Sequence, residues 1–163
     1  MLITEAQFRT LVWSHGAVVA SDDHRTQDRL YNLELTDAVI AAVALRHVDL
    51  SGAIFARCSF ADLTLTGCHL RNVRFYDCRF HNAFLSRCNL SKSEWNGSVL
   101  HASTYDQCDL SRSELGPVDL TEVTFFDCEL KGSTLDDRPI SYLEKVSTSY
   151  KLTFEFGRPS PDS

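Results

Sequence analysis

The sequence contains no run of eighteen consecutive apolar residues, so nothing in it reads as a membrane-spanning helix. It also lacks the charged, apolar and small-residue succession of a secretory leader, and the expected location is the cytoplasm. Basic residues are outnumbered: 16 Lys and Arg stand against 22 Asp and Glu, a formal charge of −6. That balance argues against direct nucleic-acid binding, which needs a basic face, and permits a basic protein partner. No Gly-rich phosphate loop is present, and no nucleophile, base and orienting acid are grouped by spacing. The chain is therefore read as a non-enzyme without a cofactor.

What is present is a period of five. From Leu35 to Ile140 a large residue returns at every fifth position, through Phe55, Phe75, Trp95, Leu115 and Leu135 on one phase and through all the positions between. Two residues before most of them lies a smaller one, as in Val43, Ala53, Cys58, Cys68, Ser93 and Ser103, with Arg138 a departure. A period of five suits neither a helix nor an uninterrupted strand. It suits extended triplets, in which positions n−2 and n share one face, joined by corners, so that the chain winds into a solenoid with its apolar pairs inward.

Residues one coil apart lie above each other and should match in character. Four repeats per coil satisfy this: Cys68, Cys88, Cys108 and Cys128 then form one column, Leu50, Leu70, Leu90, Leu110 and Leu130 another, and Phe55, Phe75 and Trp95 a third. A square coil of twenty residues gives about five and a half coils, a rod roughly 25 Å long at about 4.8 Å per coil.

In Val48-Asp49-Leu50-Ser51-Gly52, Cys88-Asn89-Leu90-Ser91-Lys92 and Cys108-Asp109-Leu110-Ser111-Arg112 the chain resembles the pentapeptide repeat proteins. The resemblance covers about two thirds of the sequence and implies an all-β solenoid, a right-handed quadrilateral β-helix of about five coils. The handedness rests on the resemblance alone. Trp95 and Tyr105 depart from the pattern at the central position and suggest a locally distorted coil; Pro117 departs at a corner, and Arg138 with Pro139 suggests the end of the rod.

Three regions follow. Residues 1–30 carry a helix-start signal, with Thr4 as N-cap, Gln7 three later, Ile3 against Phe8, and Phe8, Leu11, Val12 and His15 on one face. Such a helix would cap the open mouth of the solenoid and cover the small outward residues Val39, Ala41, Ala42 and Ala44. Family members often carry an N-terminal helix with a nearby His and Trp, which Trp13 and His15 resemble. Residues 31–140 are the β-helix. Residues 141–163 form a C-terminal cap with a strand-like alternation over residues 150–156, followed by a Pro- and Ser-rich tail expected to be disordered.

All six cysteines occupy the small inward position, and stacked thiols form a line instead of converging on a point, so packing is expected in place of metal binding. His81 and His101 share a column with no third ligand, and no metal site is expected.

Charge divides the rod. Residues 31–92 hold seven Lys and Arg against five Asp and Glu; residues 93–140 hold three against ten. The rear acids suggest either nucleic-acid mimicry or an ordinary solvated surface, and they fall on all four sides. Phe84 and Phe126 are outward aromatics on one side, with Asp106 and Asp127 beside them, which reads as an anchor with an electrostatic rim or as a seat for the C-terminal tail. Tyr76 is a weaker outward aromatic.

The expected partner-binding set is Phe84, Asp106, Asp109, Asp119, Glu122, Phe126, Asp127 and Glu129. The expected function is that of a non-catalytic protein-binding module, an immunity or inhibitor protein that neutralises a secreted nuclease-type toxin. Immunity roles are implied by the family resemblance. The alternatives are a DNA mimic that protects a type II topoisomerase, and a structural adaptor.

Overall fold

The computed structural model describes residues 2, 3, 6–8, 10, 33–135, 138, 139 and 153–155. Every extended triplet carries one inward and two outward side chains, so a corner is needed every five residues, and corners are where the backbone leaves the ordinary β region. At position n+2 the chain adopts positive φ in fifteen non-glycine residues, among them Asp37, Arg57, Asp77, Arg87 and Asp127, and in Gly52, Gly67, Gly97 and Gly132. Repeated turning of this kind builds a parallel all-β solenoid of about five coils, as the repeat predicts.

Four walls result. Wall 1 is a seven-stranded sheet containing Glu34–Thr36, Ile54–Ala56, Arg74–Tyr76, Glu94–Asn96, Glu114–Leu115 and Thr134–Leu135. Wall 2 contains Val39–Ala41, Ser59–Ala61, Arg79–His81 and Val99–His101; wall 3 contains Ala44–Arg46, Thr64–Thr66, Phe84–Ser86, Thr104–Asp106 and Thr124–Phe126. Wall 4 has single bridges running Asp49 to His69 to Asn89 to Asp109 to Glu129 in place of strands. Register is twenty residues in each parallel pair from Leu35↔Phe55 to Tyr105↔Phe125. Backbone bonds join coil to coil, such as Ile54 N to Leu33 O at 2.8 Å and Leu90 N to Asp109 O at 2.7 Å.

The lumen is filled by the large central residues and the small series beside them. Rings stack along the columns: Phe55 on Phe75 at 5.3 Å, Phe60 on Phe80 at 4.6 Å, Phe75 against Trp95 at 4.3 Å and Tyr105 on Phe125 at 5.0 Å. Trp95 and Tyr105 are fully buried and keep the common register, so the coil distortion expected at them does not occur. The reason is volume compensation. Three of the four small positions of that coil are serines, Ser93, Ser98 and Ser103, all buried, and Ser93 Oγ also accepts the Trp95 Nε1 proton at 2.7 Å.

The irregularity falls at Pro117. Its corner column reads Asp37, Arg57, Asp77 and Gly97, all at positive φ, a conformation the pyrrolidine ring forbids. Beyond it wall 2 continues only as a single bridge, Val99 to Asp119, followed by a turn in which Val123 N bonds Leu120 O at 3.2 Å.

Both ends are closed by strands. Leu2–Ile3 adds to wall 2 in parallel register with Val39 and Ile40. Residues 6–8 and 10 are helical, and Phe8 is buried with its ring 6.5 Å from Phe55. The N-terminal segment thus plugs the mouth and extends a wall but leaves the outer face open, since Val39 remains 41 % exposed. Thr4, Leu11, Val12, Trp13 and His15 lie outside the described residues. At the other end Arg138–Pro139 turns back antiparallel on Thr134–Leu135, and Thr153–Glu155 adds in parallel to Thr124–Phe126. Among the described residues no helix is long and apolar enough to cross a membrane.

Candidate functional site

Because the lumen is packed, chemistry is left to the outward positions, two per triplet and one per corner. Wall 3 is the most distinctive. Phe84 is 42 % exposed and is one of two large apolar side chains that stand clear of the described surface, the other being Val39. Phe84 occupies the n−1 column with Thr64, Thr104 and Thr124, whereas Phe126 occupies the n+1 column with Thr66, Ser86 and Asp106. The two rings share a wall but flank opposite sides of its midline, roughly 12 Å apart on a lattice of about 4.8 Å by 7 Å. Phe126 is half-buried and lies beside Glu155 of the C-terminal strand, so the tail does seat against this end of the wall.

The acidic residues separate into two kinds. Asp106 accepts a 2.9 Å bond from Ser86 Oγ on wall 3, and Asp127 is an exposed corner residue on the same edge. Glu122 stands at the opposite corner of wall 3, its carboxylate 3.9 Å from His101 Nε2. These three surround the aromatic wall. Asp109, Asp119 and Glu129, by contrast, are spent on their own turns. Asp109 Oδ1 accepts from Ser111 N at 2.9 Å, and Glu129 Oε1 from Lys131 N at 2.9 Å. Asp119 Oδ1 accepts from Thr121 N at 2.9 Å and from Thr121 Oγ1 at 2.5 Å, and these bonds hold its carboxyl below the usual range. Asp109 and Glu129 sit around the corner on wall 4, and Asp119 sits on wall 2 at the edge away from wall 3. The eight expected residues are thus one cluster of five with three turn-holding neighbours.

Tyr76 is occupied within wall 1: its hydroxyl donates to Glu94 Oε2 at 3.1 Å, and Arg74 Nε is 3.4 Å from Glu94 Oε1. His81 and His101 stack at 5.4 Å, and among the described residues no group of three possible metal ligands gathers. Ser86 was not foreseen. An outward position gave no sign that this residue is buried and that it orients Asp106.

The six cysteines are free and buried. Each thiol bonds a carbonyl of the preceding coil, as Cys58 does to Leu35 at 3.3 Å, Cys78 to Phe55 at 3.4 Å and Cys128 to Tyr105 at 3.3 Å. Hydrogen bonding to neighbouring thiols, together with burial, pushes Cys68, Cys78 and Cys108 above the ordinary thiol range, and the same thiol–thiol bonds pull Cys58, Cys88 and Cys128 below it. All six are buried in the lumen, where they fill space as packing groups.

Residues 38–104 match the family model of the pentapeptide repeat region. The resemblance seen in the repeats is therefore sound: the chain carries a pentapeptide repeat region, and its coils continue the same register to Leu135. Solved structures to which the chain is similar include the full-length plasmid-mediated fluoroquinolone resistance protein QnrB1, with a TM-score of 0.32 and 18 % identity over 77 % of this chain and 84 % of that one. Others are Rfr23 from the cyanobacterium Cyanothece 51142, with a TM-score of 0.31 and 13 % identity over 78 % and 85 %, and HetL from Nostoc, with 0.31 and 15 % over 80 % and 70 %. No curated protein matches the sequence.

Proposed function

We propose that this chain is a non-catalytic protein-binding module acting as an immunity or inhibitor protein, which covers the basic active surface of a nuclease-type toxin. The observation that carries the reading is the pairing of an exposed aromatic, Phe84, with the acids Asp106, Glu122 and Asp127 on a rigid wall. A solenoid that spends its inward residues on its own core is preorganised, so little ordering cost opposes binding through the outward ones. A desolvated aromatic anchor ringed by charge is the common form of a contact that gains affinity from the ring and steering from the rim. Six unpaired thiols suit a reducing cytoplasm as the site of action.

The test is affinity capture from the native cell with the wild-type chain and with two variants as bait. A basic protein is expected on the wild-type bait. Its affinity falls about 30-fold with Phe84→Ala, for a contact of about 2 kcal/mol. Reversing Asp106, Glu122 and Asp127 to Lys weakens capture further and flattens its salt dependence. Equal capture by all three baits rejects the site. A topoisomerase-protecting DNA mimic is the second reading, supported by acid columns at coil spacing such as Glu94 over Glu114 and Asp109 over Glu129. A supercoiling assay with purified gyrase separates the two.

A further inference from the structure

The edge where walls 3 and 4 meet changes sign along the rod. Taking the outward residues of both walls and their shared corner, the first coil, residues 44–51, has Arg46 against Asp49. The second, residues 64–71, has Arg71 alone, and the third, residues 84–91, has Arg87 alone. The fourth, residues 104–111, has Asp106 and Asp109; the fifth, residues 124–131, has Asp127 and Glu129 against Lys131. The net charges by coil are 0, +1, +1, −2 and −1, with His47 and His69 on the basic half. Arg46, Arg71, Arg87, Asp127 and Glu129 are exposed, and among the described residues none of the three arginines is in an ion pair within the chain. Phe84 projects from the third coil in the column of wall 3 farther from this edge, and lies outside the charged strip.

An edge that is positive toward one end and negative toward the other is complementary to itself turned end for end. The geometry points to a second copy of this chain as the occupant of that edge, in an antiparallel, two-fold dimer whose axis passes between the third and fourth coils. Arg87 then faces Asp106 and Asp109 of the other copy, and Arg71 faces Asp127 and Glu129. Placing the axis on the third coil would oppose Arg87 to itself. At the far edge of wall 3, Asp62 and Glu122 are like charges that disfavour full wall-to-wall contact, which keeps the interface on the edge shared with wall 4. Four paired coils of about 4.8 Å give roughly 800 Å² buried in total, below the standard size of specific interfaces, so the dimer is weak and sensitive to salt.

This pairing goes beyond the proposed function and does not rest on it, although the two compete for Asp106 and Asp127. Sedimentation velocity on the full chain, without any partner, tests it. The wild type is expected to form a dimer over the micromolar range at low salt and to dissociate as salt rises. Arg71→Glu with Arg87→Glu, and separately Asp106→Arg with Asp127→Arg, each raise the dissociation constant at least about tenfold, with circular dichroism confirming the fold. Mixing these two variants restores a dimer, weaker than that of the wild type, because one half of the edge keeps its native charge pairs and in the other half the reversed positions meet reversed positions. A wild type that stays monomeric at low salt, a dimer indifferent to both reversals, or a mixture that remains monomeric overturns the proposal. Since only this chain is in the cell, any of these results leaves the basic-partner reading untouched.

Discussion

Tyr105 is the residue least at ease in this structure. Its ring is well placed on Phe125 and edge-on to Trp95, but its hydroxyl is buried and has no hydrogen-bond partner among the described residues. Burial raises its pKa well above the ordinary tyrosine value, so the neutral phenol persists at any physiological pH. Leaving a buried hydroxyl unsatisfied costs about 1–3 kcal/mol, and Tyr105→Phe is expected to stabilise the fold by about 1 kcal/mol in chemical denaturation. A destabilised variant would mean that the hydroxyl has a partner. The thiols behave oppositely, since each has found a carbonyl. Ser98 stands in the column of Cys58 and Cys78 and makes the equivalent bond, to Phe75 O at 3.3 Å. Cys78→Ser is therefore expected to fold with a loss of about 1 kcal/mol, whereas Cys78→Ala loses the donor as well. Sequence periodicity revealed which residues face the lumen. It did not reveal that three serines make room for Trp95 and Tyr105, because the volume match appears only when the four sides of one coil are seen together.

At the scale of the element, the walls were legible and the corners were not. A fifth-residue period identifies the inward position by hydrophobicity, so the twenty-residue register and the columns of Cys68, Cys88, Cys108 and Cys128 could be read directly. Corner geometry depends on φ, and residues as different as Asp37, Ala42, Arg57 and Gln107 occupy the same left-handed conformation. Inter-coil bonds such as Arg57 N to Tyr76 O at 2.8 Å hold them there. The corner columns add side-chain ladders: Arg57 reaches Asp37 with two bonds of 2.7 and 2.9 Å, and Asn82 reaches Asp62 at 2.7 Å. The turn after Asp119 gives a pH prediction. The Thr121 bonds depress the Asp119 pKa below its ordinary 3.8, so their contribution is present above that value and is lost as pH falls through the lower, folded one. Asp119 is exposed and water screens it, so Asp119→Asn is expected to cost about 0.5 kcal/mol at neutral pH. That difference should shrink in denaturation series carried below pH 4; a constant gap would contradict the assignment.

For the molecule as a whole, the ends decide whether a stack of coils is a closed object. Phe8 against Phe55, with the Leu2–Ile3 rung on wall 2, closes one mouth. Phe8→Ala should cost about 3–5 kcal/mol in denaturation and promote association that persists in salt, since an uncovered coil offers apolar surface and backbone instead of charge. Association that vanished in salt would point to the charged edge instead. The N-terminal rung is not legible in the sequence, because two residues are too few to show alternation, and Ile3 fits the staple of a helix start. The site was legible in its parts, Phe84 and the acids of the rear coils, but not in its division, since hydrogen bonds within their own turns engage one carboxylate oxygen each of Asp109, Asp119 and Glu129.

The four-sided coil has a further consequence for how such a chain can change its length. Insertion or loss of one pentapeptide keeps every leucine in the interior yet swings all downstream exteriors through a quarter turn, carrying Asp106 and Phe126 from one flank of the molecule to the next. Twenty residues gained or lost would restore the original facing and merely slide the pattern along the axis. Segment length therefore acts here as an angular dial: multiples of five preserve the fold, and only multiples of twenty preserve what the molecule presents to others.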